Sequence, residues 1–352
     1  MKTCPCADRR EKILARAITF MQAINEALEQ EMERDETVVL FGEDVAGGSG
    51  SQGEEDAWGG VMGVTKGLYH KFPGRVLDTP ITESSFIGAA GGAAASGLRP
   101  VAELMFNDFM GVCFDQIYNQ SAKFRYMFGG KAKTPMVIRT MFGAGIRAAA
   151  QHSQSLYPIF THIPGLKVAI PSNPYDAKGL LAASIRDNDP VIFFENKVLY
   201  NVEGDVPEDP YVVPLGEAEF VREGDDVTVV AIGRMVGIAE QAAEALSDEG
   251  IECEIVDPRT TSPLDEDTIY ESVEHTGRLV VVDEAYPRCS VAADICALVS
   301  QNCFEDLKSA PKMVTAPHTP VPFSPVLEDL YVPDPERVAA AVRETTGAGA
   351  KA

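Results

Sequence analysis

Short unbroken runs of apolar and β-branched residues alternate along this chain with longer stretches of helical periodicity. Thr37 to Phe41, Val76-Leu77, Pro100 to Met105, Met136 to Thr140, Leu166 to Ile170 and Val191 to Phe194 form one series of strand-like runs. Before them, Met21, Ile24, Ala27, Leu28 and Met32 recur at helical spacing behind a Thr19–Gln22 capping box. Phe86 to Leu98, Asp108 to Met127 and Asp176 to Arg186 read as further helices. Buried strands joined by helical crossovers imply an α/β fold, a parallel sheet covered by helices on both faces. The helix from Phe86 is packed with Gly and Ala, so its backbone can approach a neighbour closely, in an interface or under a ligand.

A second series, Val227 to Ile232, Glu252 to Val256, Leu279 to Val282 and Met313 to Thr315, encloses helical stretches at Ile238 to Leu246 and Ala292 to Val299. It predicts a smaller α/β domain. Tyr200 to Pro214 has four acidic residues and three prolines among fifteen, which reads as a linker. The expected organisation is an extension over 1–15, a domain over 16–199, a linker over 200–215, a second domain over 216–342 and a tail over 343–352. The glycine-rich stretch from Gly47 to Gly60, with Glu54-Glu55-Asp56 inside it, reads equally as a solvated excursion and as a lid or partner contact.

Charge narrows the function classes. The formal net charge of −23 argues against nucleic acid, whose binding needs a positive face to release counterions, and against anionic membrane surfaces. No apolar run approaches the roughly 18 residues of a membrane span, and Met1 to Arg10 lacks a secretory pattern, so a cytoplasmic location is expected. Seven cysteines, an odd number without a CxxC pair, do not suggest a disulfide framework. Cys4-Pro5-Cys6 offers only two ligands where zinc sites usually take four.

Ligands in open α/β sheets bind beyond the carboxyl ends of the strands. Asp78 to Glu83, Met105 to Phe109 and Gln151 to Gln154 occupy such positions. Glu83 immediately precedes the small-residue helix, where apolar surroundings would raise its pKa and suit it to sharing a proton. The more ordinary reading of the local pattern is a helix N-cap or first-turn acid stabilised by the helix dipole. His152 could transfer protons near neutrality or simply be a structural loop histidine. His70, His162, His275 and His318 have no better context. There is no GxSxG elbow, no phosphate-binding P-loop and no GxGxxG dinucleotide fingerprint seated directly after a strand. The residues alone therefore stop at a two-domain α/β protein with a polar cleft.

Longer motifs carry a resemblance. Val76-Leu77-Asp78-Thr79-Pro80-Ile81-Thr82-Glu83 resembles the cofactor motif of the β subunits of thiamine-diphosphate-dependent 2-oxoacid and acetoin dehydrogenases. Gly97-Leu98-Arg99-Pro100-Val101-Ala102-Glu103, Phe114-Asp115-Gln116-Ile117, Gln151-His152-Ser153-Gln154, Pro164-Gly165-Leu166-Lys167-Val168 and Asp176-Ala177-Lys178-Gly179-Leu180 follow in the family's order. Asp257-Pro258-Arg259-Thr260-Thr261-Ser262-Pro263 and Val282-Asp283-Glu284-Ala285 extend the likeness into the second domain.

The resemblance implies a transketolase-like pyrimidine-binding domain followed by a transketolase C-terminal domain. Glu83 matches the glutamate that hydrogen-bonds the aminopyrimidine ring nitrogen of thiamine diphosphate, a bond that favours the imino tautomer and so the removal of the thiazolium proton. Met105 and Phe109 match residues packed around the pyrimidine. His152 matches the histidine that assists the bound substrate and its transfer to a lipoyl group. A potassium site would fall on Met136, Ser184, Ile185, Asp187 and Asp189, mostly through backbone carbonyls.

The Gly-Asp-Gly motif that anchors the diphosphate through Mg2+ occurs nowhere in this chain. In the family it comes from an α subunit, which implies a tetramer of two α and two β chains working with a lipoyl acyltransferase core. Asp56 to Leu68, Glu103 to Cys113 and Ala316 to Phe323 look most like acetoin dehydrogenase β subunits. Pyruvate or branched-chain 2-oxoacid dehydrogenase β subunits are the alternative. A self-sufficient transketolase-like enzyme and a catalytically silent scaffold are the remaining readings.

Overall fold

The computed structural model describes residues 15–47 and 59–347. Cys4 and Cys6, most of the Gly47–Gly60 stretch and the final residues of the expected tail lie outside them. The first domain runs β1 (Ala15–Thr19), α1 (Phe20–Arg34), β2 (Val38–Gly42), α2 (Leu68–Lys71), β3 (Val76–Asp78) and α3 (Glu83–Ala95). It continues with β4 (Arg99–Phe106), α4 (Phe124–Met127), β5 (Val137–Phe142), α5 (Tyr157–Thr161), β6 (Lys167–Ala169), α6 (Pro174–Arg186), β7 (Val191–Asn196) and β8 (Glu203–Pro207). The capping box forms as the sequence predicts: Thr19 Oγ1 accepts from Gln22 N, and Gln22 Oε1 accepts from Thr19 N. Strands β5 and β7 are buried at every residue, as expected of central parallel strands covered on both faces.

The second domain comprises β9 (Glu219–Arg222), β10 (Val227–Ala231), α7 (Met235–Ser247), β11 (Cys253–Asp257), β12 (Thr260–Ser262) and α8 (Glu266–Thr276). After these come β13 (Leu279–Asp283), α9 (Val291–Asn302), β14 (Lys312–Thr315), α10 (Pro325–Tyr331) and α11 (Pro335–Thr346). Its sheet has the order β14-β13-β10-β11-β9, parallel except for β9. The first sheet has the order β12-β6-β7-β5-β4-β2-β3, parallel except at β12. Strand β12 belongs by sequence to the second domain, yet it completes the first domain's sheet. One face of that sheet packs against α1 and α6. The other packs against α3 and α5, in a core continuous with α8 and α9 of the second domain.

Two expectations about local structure are corrected. Asp108 to Met127 is not one helix: a 3-10 turn over Asn107–Gly111 and a π turn over Gln116–Ser121 precede the short α4. Ser121 Oγ donates to Gln116 O, and Ala122 N to Ile117 O, each bridging five residues and widening the turn. The π turn lies against the glycines of α3, where a Cβ on Gly91 would stand 2.9 Å from Ser121 Oγ. That contact is the close approach which the small residues of α3 lead one to expect.

The expected linker also has structure. Its β8 pairs antiparallel with β1, from Ala15 opposite Pro207 to Thr19 opposite Glu203. Beneath it the buried Lys178 ammonium donates to the carbonyls of Pro207 at 2.6 Å, Glu208 at 3.1 Å and Asp209 at 3.1 Å, and to Glu26 Oε1 at 2.6 Å. A buried ammonium needs such partners, and this one ties the segment down.

Candidate active site

The parallel strands of the first sheet end together at β2, β3, β4 and β5, and the loops that follow carry the candidate residues. Glu83 is the first residue of α3, just beyond β3. Its N-cap Thr82 makes no side-chain cap bond, and among the described residues the Glu83 carboxyl has no hydrogen bond. Burial first, then the charges of Asp44 and Glu83, push the Glu43 carboxyl up. Burial and the nearby Glu83 charge push the Cys113 thiol up to about 12. The apolar surroundings expected of Glu83 are only partly in place. The carboxyl is half-buried, while Ile81 is 74% exposed and Val112, whose carbonyl accepts from Ser84 Oγ at 2.6 Å, is 62% exposed.

Met105 and Phe106 end β4 and pack toward the α1 and α6 face, whereas Phe109, one turn on, packs toward the α3 face. The buried Asn107 joins this turn to the histidine loop. Its Nδ2 donates to Gln154 O at 2.9 Å, and its Oδ1 accepts from Leu156 N at 2.9 Å. Asp108 Oδ1 accepts from Gln154 Nε2 at 2.8 Å. His152 is thereby held edge-on to two rings, Phe106 at 4.9 Å and Phe109 at 5.3 Å between centroids. Aromatic pairs favour this T-shaped contact. The structure thus brings His152 and Phe109 into contact, with Met105 on the same strand end. Ser84 places the start of α3 against Val112, three residues beyond Phe109.

The backbone leading to His152 is unusual. Gly143 and Gly145 have positive φ, and so do the non-glycines Arg147 and Ala149, at 62° and 60°. A Cβ on Gly143 would stand 2.7 Å from Asn196 Nδ2 and 2.8 Å from Glu284 Oε1. Left-handed conformations of ordinary residues cost energy and persist only where the surroundings over-determine them. Here the second domain does so. Ala144 N donates to Glu284 Oε1 at 2.7 Å, Gly145 N to Glu328 Oε1 at 2.8 Å and Arg147 Nη1 to Glu328 Oε2 at 2.5 Å. Sequence reasoning did not reach these two carboxylates as parts of the site. Nor did it reach Lys197, whose Nζ donates to His152 O. Glu284 lies in a motif the resemblance does include, whereas Lys197 is marked only as a charge at the end of an apolar run.

Met136, Ser184, Ile185, Asp187 and Asp189 gather at the opposite end of the sheet, where β5 and β7 begin. The carbonyls of Ile185 and Asp187 accept from Arg99 Nη1 at 2.9 and 2.7 Å. The Asp187 carboxylate pairs with Lys167 and that of Asp189 with Arg125. Ser184 Oγ donates to Leu180 O. With its carboxylates already balanced, this loop offers carbonyl oxygens with a lone pair to spare. Among the described residues no group of three or more His, Cys, Asp or Glu side chains could hold a metal. Glu83, Met105 and Phe109 supply a carboxyl, a thioether and an aromatic ring, groups that would suit the aminopyrimidine end of thiamine diphosphate. Among the described residues no such carboxylate set stands ready for a Mg2+-bound diphosphate end.

Comparison with known proteins identifies the family. Residues 16–203 match the transketolase pyrimidine binding domain, and residues 216–338 the transketolase C-terminal domain. Acetoin:2,6-dichlorophenolindophenol oxidoreductase subunit beta of Cupriavidus necator is 65% identical over 96% of this chain and 99% of its own length. The protein of the same description from Bacillus subtilis is 60% identical over 95% and 98%. The 2-oxoisovalerate dehydrogenase subunit beta of Bacillus subtilis is 43% identical over 93% and 98%. A solved split-gene transketolase, described as an inactive β4 tetramer, matches at a TM-score of 0.75 and 23% identity over 94% of this chain and 98% of that one, a likeness of fold. The chain belongs to the transketolase-like family, among the β subunits of thiamine-diphosphate-dependent dehydrogenases.

Proposed function

We propose that this chain is the β half of an acetoin dehydrogenase first component, which cleaves acetoin and passes the acyl group to lipoamide on an acyltransferase. The observation that carries the reading is Glu83: a half-covered carboxyl at the start of a Gly- and Ala-rich helix, with Ile81 and Val112 left open beside it. Thiamine diphosphate, when bound, supplies the carbanion chemistry. This chain's part is to hold a proton between Glu83 and the aminopyrimidine ring nitrogen, to line the ring with Met105 and Phe109, and to move a proton at the substrate through His152. An α subunit supplies the Mg2+ and diphosphate contacts, in a tetramer of two α and two β chains docked on a lipoyl acyltransferase core. The location proposed is cytoplasmic; no helix among the described residues is long and apolar enough to cross a membrane.

Relatives named for 2-oxoisovalerate dehydrogenase, at 43% identity, and pyruvate dehydrogenase, at 44%, support a second reading, oxidative decarboxylation of a branched 2-oxoacid or pyruvate. Reconstitution with the α partner, assayed by dye reduction with acetoin, pyruvate and branched 2-oxoacids, separates the two. In the same enzyme Glu83→Gln is expected to lower turnover by roughly 1,000-fold, at the scale of lost proton transfer. Turnover near the wild-type rate would refute the proton role. Calorimetry of this chain alone with thiamine diphosphate and Mg2+ is expected to show no saturable binding. Tight binding without α would point instead to a self-sufficient enzyme, and a competent complex without turnover to a silent scaffold. A potassium ion on the loop of Met136, Ser184, Ile185, Asp187 and Asp189 is a further proposal. It predicts a higher melting temperature in potassium than in sodium chloride at equal ionic strength, and equal melting in the two salts would dismiss it.

A further inference from the structure

We propose that Lys197 is the positioning residue for His152, its ammonium fixing both the histidine's backbone carbonyl and the Phe106 ring against which the imidazole rests. Lys197 follows the last residue of β7 and is only 3% exposed. Its Nζ donates to His152 O and lies 5.2 Å from the centroid of the Phe106 ring. Phe106 in turn meets the imidazole edge-on at 4.9 Å. One buried cation therefore grips both the backbone of the histidine and the wall beside it. That grip bears on a loop whose Arg147 and Ala149 are held in left-handed conformations, so the position of His152 depends on its clamps and not on an intrinsic preference of the chain.

The charges facing the ammonium come from several elements. Asp108 beyond β4, Glu284 beyond β13 and Glu328 on α10 favour the charged form, and Arg234 before α7 opposes it. Burial outweighs them and brings Lys197 down to about 8. Just above neutrality the ammonium therefore begins to lose its proton. A neutral amine can still donate to His152 O, but without charge assistance, and its hold on the ring face is lost.

This inference rests on the catalytic role proposed for His152, and it is tested in two ways. In the enzyme reconstituted with α, wild-type kcat is expected to fall on the alkaline side with an apparent pKa near 8. Lys197→Arg keeps its charge and should abolish that fall. Lys197→Met should lower kcat by about 10- to 100-fold, the cost of a misplaced catalytic group, with little change in KM. An unchanged alkaline fall in Lys197→Arg, or a wild-type kcat in Lys197→Met, would overturn the proposal.

The second measurement needs no substrate. The imidazole NMR signal of His152 in the full chain, identified by its loss in His152→Gln, should shift in Lys197→Met while that of the remote His275 stays in place. A signal that does not move overturns the positioning role. Absence of acetoin turnover in the wild-type complex would instead sink the functional reading and leave this contact intact.

Discussion

Arg139 sits in the middle of β5 with its side chain almost wholly buried. Its Nε and Nη2 reach the two oxygens of Glu195 at 2.7 and 2.8 Å, and its Nη1 reaches Glu103 at 2.7 Å. The Tyr200 hydroxyl donates to Glu195 at 2.6 Å. Burial pushes the Glu195 carboxyl up while the guanidinium pulls it back. Breaking such a pair from one side strands the other charge, so Arg139→Met should cost about 3–5 kcal/mol. The loss would appear as a marked fall in the thermal midpoint, which Glu195→Gln in the same chain should partly restore. A midpoint equal to wild type would show that the pair is not holding the core. A charge inside Met136 to Phe142 is visible in the sequence, but its partners come from neighbouring strands and no local pattern reveals them. Glu83 and His152 are similar cases. Spacing left each open between a structural and a chemical role, and only the longer motifs around them pointed to chemistry.

Elements were most legible where one pattern decided them. The parallel strands and α1 with its capping box follow directly from periodicity. The stretch from Asp108 to Met127 misleads because apolar residues at helical spacing do not reveal a turn widened by Ser121 against the glycines of α3. The segment from Tyr200 to Pro214 misleads for another reason: acid and proline hide a strand whose partner, β1, lies far away in sequence. Lys178 holds this segment, and it is 1% exposed. Hydrogen bonds to a charged group are worth about 1.5–3 kcal/mol. Lys178→Met should therefore loosen Pro207 to Asp209 and speed limited proteolysis there roughly tenfold, with fragments cut between the two domains. Cleavage at the wild-type rate would mean that the β1–β8 ribbon needs no such anchor.

At the scale of the molecule, alternation announces two α/β units but not how they join. The join rests on features too small for periodicity to register. Strand β12 is three residues, Thr260-Thr261-Ser262, with nothing apolar to announce it. The carboxylates of Glu284 and Glu328 act across the boundary on backbone amides. Composition alone suggested a tethered pair of domains, while the packing runs one hydrophobic cluster across both. A hinge between the halves would have to tear β12 away from β6, whose Thr260–Ala169 and Ser262–Val168 pairs close the sheet. Cutting the chain after β8 would uncover the same seam and leave β6 with a raw row of amides and carbonyls, an open invitation to stick to another copy. Access for a substrate must then come from shifting loops or parting subunits, because these two halves do not gape.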